Sequence, residues 1–439
     1  MNIISKKSFY RNPTKPFTSI IAGFSIHSLA ILFKNIFHLD IIYAIICLIG
    51  WYYIILGAWK MKGRLTTIRN RYFPFLVSAY IILCVIMIIR GYLIDYPYQW
   101  FTINGIINFH LFNPTYILPY ILPIIFFIPA KEFDFKSIVN WSLIFSWIAI
   151  LSLLLFGKEM SINSIMQSFG KAIDDGGVDY KYYGQVFMNV GIVILCRRYI
   201  TKQVWIINLL GLIASLLINV ICARRGTSAT LGLFLIISGW FYLKTLNPTK
   251  RIVRGFIISV TAIVITVVLA GQAAFTFIQK RGLEDNRSGV DIALMSQMDD
   301  YQKWFGKGLN GRYYYNLNLQ NDRLGGWRYV SETGYYNLIL KGGYVLTWIY
   351  ILVIFIPALK GIRKSQNTLC KALGTVMLIS LLQLIPFGHL AFNLQFLVIW
   401  AGVKLCMTPS ILKASNRYIY QQYFLQENEN PVDHKHVLS

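Results

Sequence analysis

Twelve apolar stretches, each near the length that crosses a lipid bilayer, leave this chain few folds to choose from. They lie at about 18–33, 41–59, 72–89, 115–130, 137–156, 182–196, 204–222, 227–243, 255–275, 343–359, 372–387 and 392–407. A helix of about 20 apolar residues spans the hydrocarbon core. The expected fold is therefore an all-α polytopic membrane protein of about twelve transmembrane helices, residues 1–439 forming a single transmembrane domain. Composition points the same way: 56% of residues are hydrophobic, 14% are charged, and mean hydropathy is +0.53. Such a balance excludes an ordinary soluble enzyme. The fourth stretch carries Pro119, Pro123 and Pro129 and is expected to kink.

The net charge of +24 would suit nucleic acid, but its distribution does not. Lys and Arg are scattered through short connections on one side of the apolar runs, which is the positive-inside pattern. With the N-terminus inside, the inner segments hold 25 of the 42 basic residues. Both termini are then cytoplasmic, anionic membrane lipids are the partners of most of these charges, and no nucleic acid is expected. Lys6, Lys7, Arg11 and Lys15 precede the first run, and no small-residue cleavage pattern follows, so that run reads as an uncleaved helix. The tail, 408–439, reads as polar and cytoplasmic.

One large extracytoplasmic loop is expected at 276–342, with smaller ones at about 157–181 and 90–114. The large loop holds nine Lys/Arg and seven Asp/Glu. Val290, Leu294, Met298, Tyr301 and Phe305 recur in it at spacings of three and four, predicting one amphipathic helix along the membrane boundary. A capping box at Ser288–Asp291 would start it, and Gly306 and Gly308 would end it. Six cysteines show neither a disulfide framework nor zinc-site spacing. The runs contain hardly any charge and the halves show no repeat, both of which disfavour a transporter.

Arg224 and Arg225 break the chain's charge rule, because they fall in an external turn between two apolar runs. Guanidinium forks bind phosphate oxygens in bidentate fashion. Such a pair can hold a lipid pyrophosphate as it leaves, helped by the helix N-terminus that begins at Gly226-Thr227-Ser228. Headgroup anchoring is the plainer reading of the pair. Glu332 precedes the tenth run, where it reads equally as a base toward a sugar hydroxyl or as an acid complementing the helix dipole. His389, in the outer turn between the last two runs, is a second acid–base candidate or a structural histidine. Arg281, Arg287 and Arg328 are further external arginines that suit a phosphate or a sugar, or plain headgroup contact. Tyr335 and Tyr336 belong to a dense aromatic set that suits sugar rings or the interfacial belt. Asp174-Asp175 and Asp299-Asp300 lack a third ligand, so no metal or other cofactor is expected.

Three segments give the chain a resemblance to a known family. They are Ala223-Arg224-Arg225-Gly226-Thr227-Ser228-Ala229, Trp304-Phe305-Gly306-Lys307-Gly308-Leu309-Asn310-Gly311, and Glu332-Thr333-Gly334-Tyr335-Tyr336-Asn337-Leu338 followed by Lys341-Gly342-Gly343. Together with the layout of spans and the late external loop, they resemble the O-antigen polymerase and ligase superfamily of the bacterial envelope. The resemblance implies an inner-membrane glycosyltransferase with a periplasmic active site. It would join undecaprenyl-pyrophosphate-linked repeat units, donor and acceptor alike, by inverting transfer without a nucleotide sugar; because a fixed array of arginines can replace a metal, the reaction is expected to be metal-independent. A chain-length regulator is a further partner it allows. Ligases of that family usually carry His where this chain has Glu332, which favours the polymerase. A ligase acting on lipid A core, and a flippase for lipid-linked oligosaccharide, are the alternatives.

Overall fold

Helices supply nearly all the regular structure, as the lack of water in a bilayer demands of a spanning backbone. The computed structural model describes residues 15–37, 40–61, 72–94, 113–156, 191–221, 225–244, 249, 288–315, 326–331, 333–385 and 388–425. In chain order come α1 (Pro16–Phe37), α2 (Asp40–Lys60), α3 (Tyr72–Ile89, running into a π-helical turn at Arg90–Ile94) and α4 (Phe135–Phe156). Next are the short α5 (Ile192–Leu195), then α6 (Lys202–Ile221), α7 (Arg225–Lys244), α8 (Ser288–Ser296) and α9 (Asp300–Phe305). The chain continues with α10 (Gly334–Lys364), α11 (Thr368–Gln383), α12 (Leu394–Cys406), α13 (Pro409–Leu412) and α14 (Asn416–Tyr423). Two strands, β1 (Tyr313–Tyr314) and β2 (Trp327–Arg328), pair antiparallel with Tyr313 opposite Arg328.

Six helices among the described residues are long and apolar enough to cross a membrane: Ile41–Lys60, Tyr72–Ile94, Phe135–Leu155, Lys202–Asn219, Gly226–Lys244 and Gly334–Lys364. The protein is thus all-α, with several apolar helices suited to a multi-pass membrane protein. Shorter apolar segments occupy Pro16–Ala30, Leu118–Phe127, Thr368–Gln383 and Leu394–Cys406. The expected run at 255–275, and most of 182–196, lie outside the described residues. The proline-rich run is not a kinked α-helix. It is a chain of 3-10 turns at Leu118–Tyr120 and Leu122–Phe127, with Pro119 and Pro123 near the start of each turn. Irregular backbone of this kind is tolerated at membrane depth only when covered by protein or lining a wet cavity. Here Leu118, Tyr120, Leu122 and Phe126 are buried, and the segment packs on α12.

Small residues set the helix contacts. A Cβ at Gly23 of α1 would meet the Gly50 carbonyl of α2 at 2.5 Å, so these two backbones touch directly. Between α4 and α6, Gly211 faces Ser146, whose Oγ donates to Asn208 Oδ1 at 3.1 Å. α12 sits at the centre, all its residues buried.

The helices share two ends. One is the tail end, closed by α13 and α14. There Lys15 Nζ donates to the Gln422 carbonyl at 2.6 Å and the Tyr423 hydroxyl to the Ala130 carbonyl at 3.1 Å. The Tyr199 hydroxyl donates to Asn416 Oδ1 at 2.5 Å. The segment read as a polar tail is therefore folded up to residue 425, with Ile419, Tyr420 and Tyr423 buried beneath a polar face. The other is the loop end, where α8, α9 and the hairpin pack on the start of α10. The single amphipathic helix expected there is two helices. Asp299 caps the second through a capping box, accepting from Gln302 N. Leu294 and Met298 are buried against Ile339, Leu340 and Tyr313. Tyr301, Trp304 and Phe305 of α9 remain exposed instead.

Candidate active site

Backbone contacts, more than side-chain ion pairs, build the loop end. α10 is interrupted at Gly343, whose φ of 70° belongs to the left-handed region that glycine alone enters freely. The interruption makes room for α9: a Cβ at Gly343 would collide with the Trp304 carbonyl, and one at Gly306 (φ 72°) with the Lys341 carbonyl. Lys307 N donates to the Leu340 carbonyl at 2.8 Å and Gly308 N to the Lys341 carbonyl at 3.0 Å. Two of the segments that carry the family resemblance are thus one interlocked unit.

That unit is riveted to the bundle. Arg90 donates from Nη1 to the Phe305 carbonyl at 2.9 Å and from Nη2 to the Gly306 carbonyl at 3.1 Å, closing the C-terminus of α9. Its guanidinium also lies 5.5 Å from the Tyr301 ring centroid. Leu309 N donates to the Met87 carbonyl at 3.1 Å, Asn310 Nδ2 to the Gly91 carbonyl at 2.9 Å, and the Tyr116 hydroxyl to Asn310 Oδ1. Lys341 Nζ donates to the Gly311 carbonyl at 3.1 Å and Lys307 Nζ to the Arg312 carbonyl at 3.3 Å. Burial pulls the Lys307 ammonium below its ordinary pKa, and the Asp299 carboxylate pushes it back up.

The approach to α10 carries the acid–base candidates. Glu332 itself lies outside the described residues, but both its neighbours are fixed. The Ser331 and Thr333 hydroxyls each donate to Asp291 of α8, at 3.0 Å to Oδ1 and 3.0 Å to Oδ2. Gly334 N donates to the Leu384 carbonyl at 2.9 Å, and a Cβ at Gly334 would collide with the Gly388 carbonyl. Gly334, two residues after Glu332 in the chain, therefore lies against the turn that bears the partly buried His389.

This turn is recessed. α11 and α12 have 16 and 13 residues, roughly 24 and 20 Å of helix, short of a hydrocarbon core of about 30 Å. Phe392 reaches Phe24 near the middle of α1 and Trp51 near the middle of α2, at centroid distances of 4.3 and 5.3 Å. Its N–H donates to the Pro114 carbonyl at 2.6 Å, which joins the turn to the 3-10 segment.

The remaining candidates divide. The Tyr335 hydroxyl donates to the Leu381 carbonyl at 2.9 Å, and Tyr336 packs on the cluster around Leu294 and Met298. Both side chains thus hold α10 in place. Arg328 stands on β2, opposite Tyr313. Arg281, Arg287 and Arg224 lie outside the described residues, whereas Arg225 is the first residue of α7. α7 ends at the tail end, where Arg197 stacks on Tyr242 at 4.1 Å, close to the Tyr199 latch. Its 20 residues rise about 30 Å, so Arg225 begins it at the loop end. Polar groups are buried there: Ser215 and Asn219 of α6 and Thr227 of α7 are all almost fully covered. Among the described residues no three His, Cys, Asp or Glu side chains gather as a metal site needs.

Sequence reasoning put Asp291 in a helix cap, Asn310 in a resemblance segment and Arg90 in an outer connection, but missed what each holds together at this end. Their partners lie 40 to 219 residues away, and only the fold brings them together. The one signal was Arg90, a cation on the sparsely charged outer side of the run at 72–89. Comparison with known proteins adds nothing further: no family model, no curated protein and no solved structure matches the chain.

Proposed function

We propose that this protein is a metal-independent polysaccharide polymerase of the bacterial inner membrane, with its loop end in the periplasm. It transfers a glycan from one undecaprenyl-pyrophosphate carrier to a sugar hydroxyl of another lipid-linked repeat, inverting the sugar carbon attacked. Both termini are cytoplasmic, and α8 and α9 lie along the outer membrane boundary, with Tyr301, Trp304 and Phe305 in the interfacial layer.

The observation that carries this reading is the shared end. Arg225 at the start of α7, Thr333 and Gly334 after Glu332, and the turn with His389 come from distant parts of the sequence, yet all belong to the loop end of the bundle. Inverting transfer needs a base at the attacking hydroxyl and positive charge at the leaving diphosphate. In the proposed mechanism Glu332 accepts the proton of the acceptor hydroxyl as its oxygen attacks the anomeric carbon. The bond from that carbon to the diphosphate breaks, and Arg224 and Arg225 neutralise the departing charge. His389 is the secondary candidate for the base. Arg281, Arg287 and Arg328 are available to a second lipid-linked substrate. The recessed turn keeps water from competing with the acceptor.

The test is the glycan profile of a deletion strain complemented with variants. Wild type restores a ladder of long chains. Arg224→Glu, at normal abundance in the membrane, leaves only single repeats. A full ladder from that variant removes the diphosphate role.

A further inference from the structure

The geometry points to a binding site for one anionic phospholipid at the tail end, where the start of α6 meets the end of α7. This site is independent of the glycan chemistry proposed for the loop end. Arg197 opens the 3-10 turn Arg197–Tyr199 that leads into α6. Its guanidinium sits in an aromatic notch, 4.1 Å from the Tyr242 ring centroid of α7 and 4.9 Å from the Trp205 ring centroid of α6. The two rings stack on each other at 6.2 Å, and Trp205 is pinned by its Nε1–H, which donates to the Ile194 carbonyl at 3.1 Å. Ring faces attract a guanidinium, and phosphate oxygens suit its N–H edge. Arg198 and Lys202 follow on the same connection, both exposed. Lys244, the last residue of α7, lies 4.9 Å from the ring centroid of the exposed Trp240.

Four cations thus gather at two neighbouring helix ends, in a stretch of chain with no Asp or Glu between residues 180 and 283. Like charges in this arrangement repel one another, and a bound anion relieves that repulsion. The surface of α6 selects a lipid over a soluble anion. Lys202, Ile206, Leu210, Ile213 and Leu217 recur at spacings of three and four, so they form one stripe along the helix. The four apolar members of the stripe are all exposed. A cationic end over an apolar stripe matches a phosphodiester headgroup and its acyl chain. The exposed Trp240 beside Lys244 suits the headgroup layer, where a membrane's anionic lipids attract Lys and Arg. A water-soluble phosphate would leave the stripe uncovered.

The experiment titrates phosphatidylglycerol or phosphatidylcholine into the purified full-length protein in detergent micelles and follows retained lipid by native mass spectrometry. Wild type should bind its first phosphatidylglycerol about tenfold tighter than phosphatidylcholine. Arg198→Gln/Lys202→Gln should weaken that first binding about 10- to 30-fold. Tyr242→Leu, which keeps every charge and removes one wall of the notch, should weaken it about three- to tenfold. Lys60→Gln/Lys413→Gln removes the same charge from other tail-end elements and should change it by no more than about twofold, since distant exposed charges are screened. Inorganic phosphate should displace no more lipid than potassium chloride of equal ionic strength. Wild-type protein given phosphatidylglycerol with a photoactivatable headgroup should crosslink within residues 197–205 or 240–244, and this arm carries the test if the variants do not fold. Equal binding of the two lipids by wild type, equal weakening by the two charge pairs, or crosslinks confined to other segments overturns the site. Specific displacement by inorganic phosphate overturns the lipid assignment.

Discussion

The two ends of this bundle are held by different devices. At the tail end ordinary residues satisfy one another in ordinary geometry. Asn367, fully buried, caps α11 by accepting from Cys370 N at 2.9 Å and donates to the Ile411 carbonyl at 2.7 Å. The Tyr199 hydroxyl takes the N–H groups of Thr368 and Leu369 while donating to Asn416. At the loop end the backbone is forced out of regular structure. The described glycines with positive φ, Gly306, Gly308, Gly326, Gly343 and Gly388, all lie there. So do the π-turn after α3 and the start of the 3-10 segment. A latch needs saturated hydrogen bonding. The end proposed to be reactive has backbone placed where regular helices would not put it, and such conformations persist only where the surroundings over-determine them. Arg90, Asn310 and the Gly343 interruption are that over-determination.

This contrast can be broken or sharpened by substitution. The largest effect is expected at the proposed base: Glu332→Gln should abolish long chains in the ladder assay while membrane abundance holds, and surviving ladders would end its catalytic role. Next is Gly343→Ala, which meets a left-handed backbone and the Trp304 carbonyl together, at a cost of about 2–5 kcal/mol. Thermal unfolding in detergent should fall by several degrees, and the ladder should be lost with it. Asn367→Ala strands buried backbone groups at the tail end, each worth about 1–3 kcal/mol. It should lower the melting temperature and leave chain length unchanged in the protein that folds; a changed ladder would show that the two ends are not separable. Tyr335→Phe deletes one hydrogen bond to the Leu381 carbonyl, worth about 0.5–1.5 kcal/mol. Activity within threefold of wild type is expected, and a larger loss would return Tyr335 to the sugar-binding set. The smallest effect belongs to Gly232 of α7, where an added Cβ meets open space: Ala there should be neutral, or stabilise by up to about 1 kcal/mol.

What the sequence reveals follows from range. Hydropathy finds α2, α3, α4, α6 and α7 because a lipid-crossing helix announces itself locally. It starts a span at 343 where the helix starts at Gly334, because Asn337, Lys341 and two glycines interrupt the apolar run there, and those first turns pack on the loop. It cannot tell the lipid-facing α2, with Ile41, Tyr52, Ile55 and Trp59 exposed, from the wholly buried α12, since both are apolar all round. Prolines at 119 and 123 signal irregularity but not the 3-10 form. Spacing suggests one amphipathic helix at 288–305. The break at Gln297–Met298 and the cap at Asp299 arise because α8 must bury Leu294 on α10 while α9 turns under Arg90. Among the site candidates, the arginine turn, Glu332 and His389 stand out by position. The contacts from Asp291 and Leu384 that fix Ser331, Thr333 and Gly334, beside Glu332 in the chain, are long-range and invisible before folding.

Reconstitution tests the central claim most directly. Purified protein in sealed liposomes, given the lipid-linked repeats extracted from the deletion strain and nothing else, should make new glycosidic bonds and release undecaprenyl pyrophosphate. Movement of those repeats across the bilayer with no new bond formed would contradict the account.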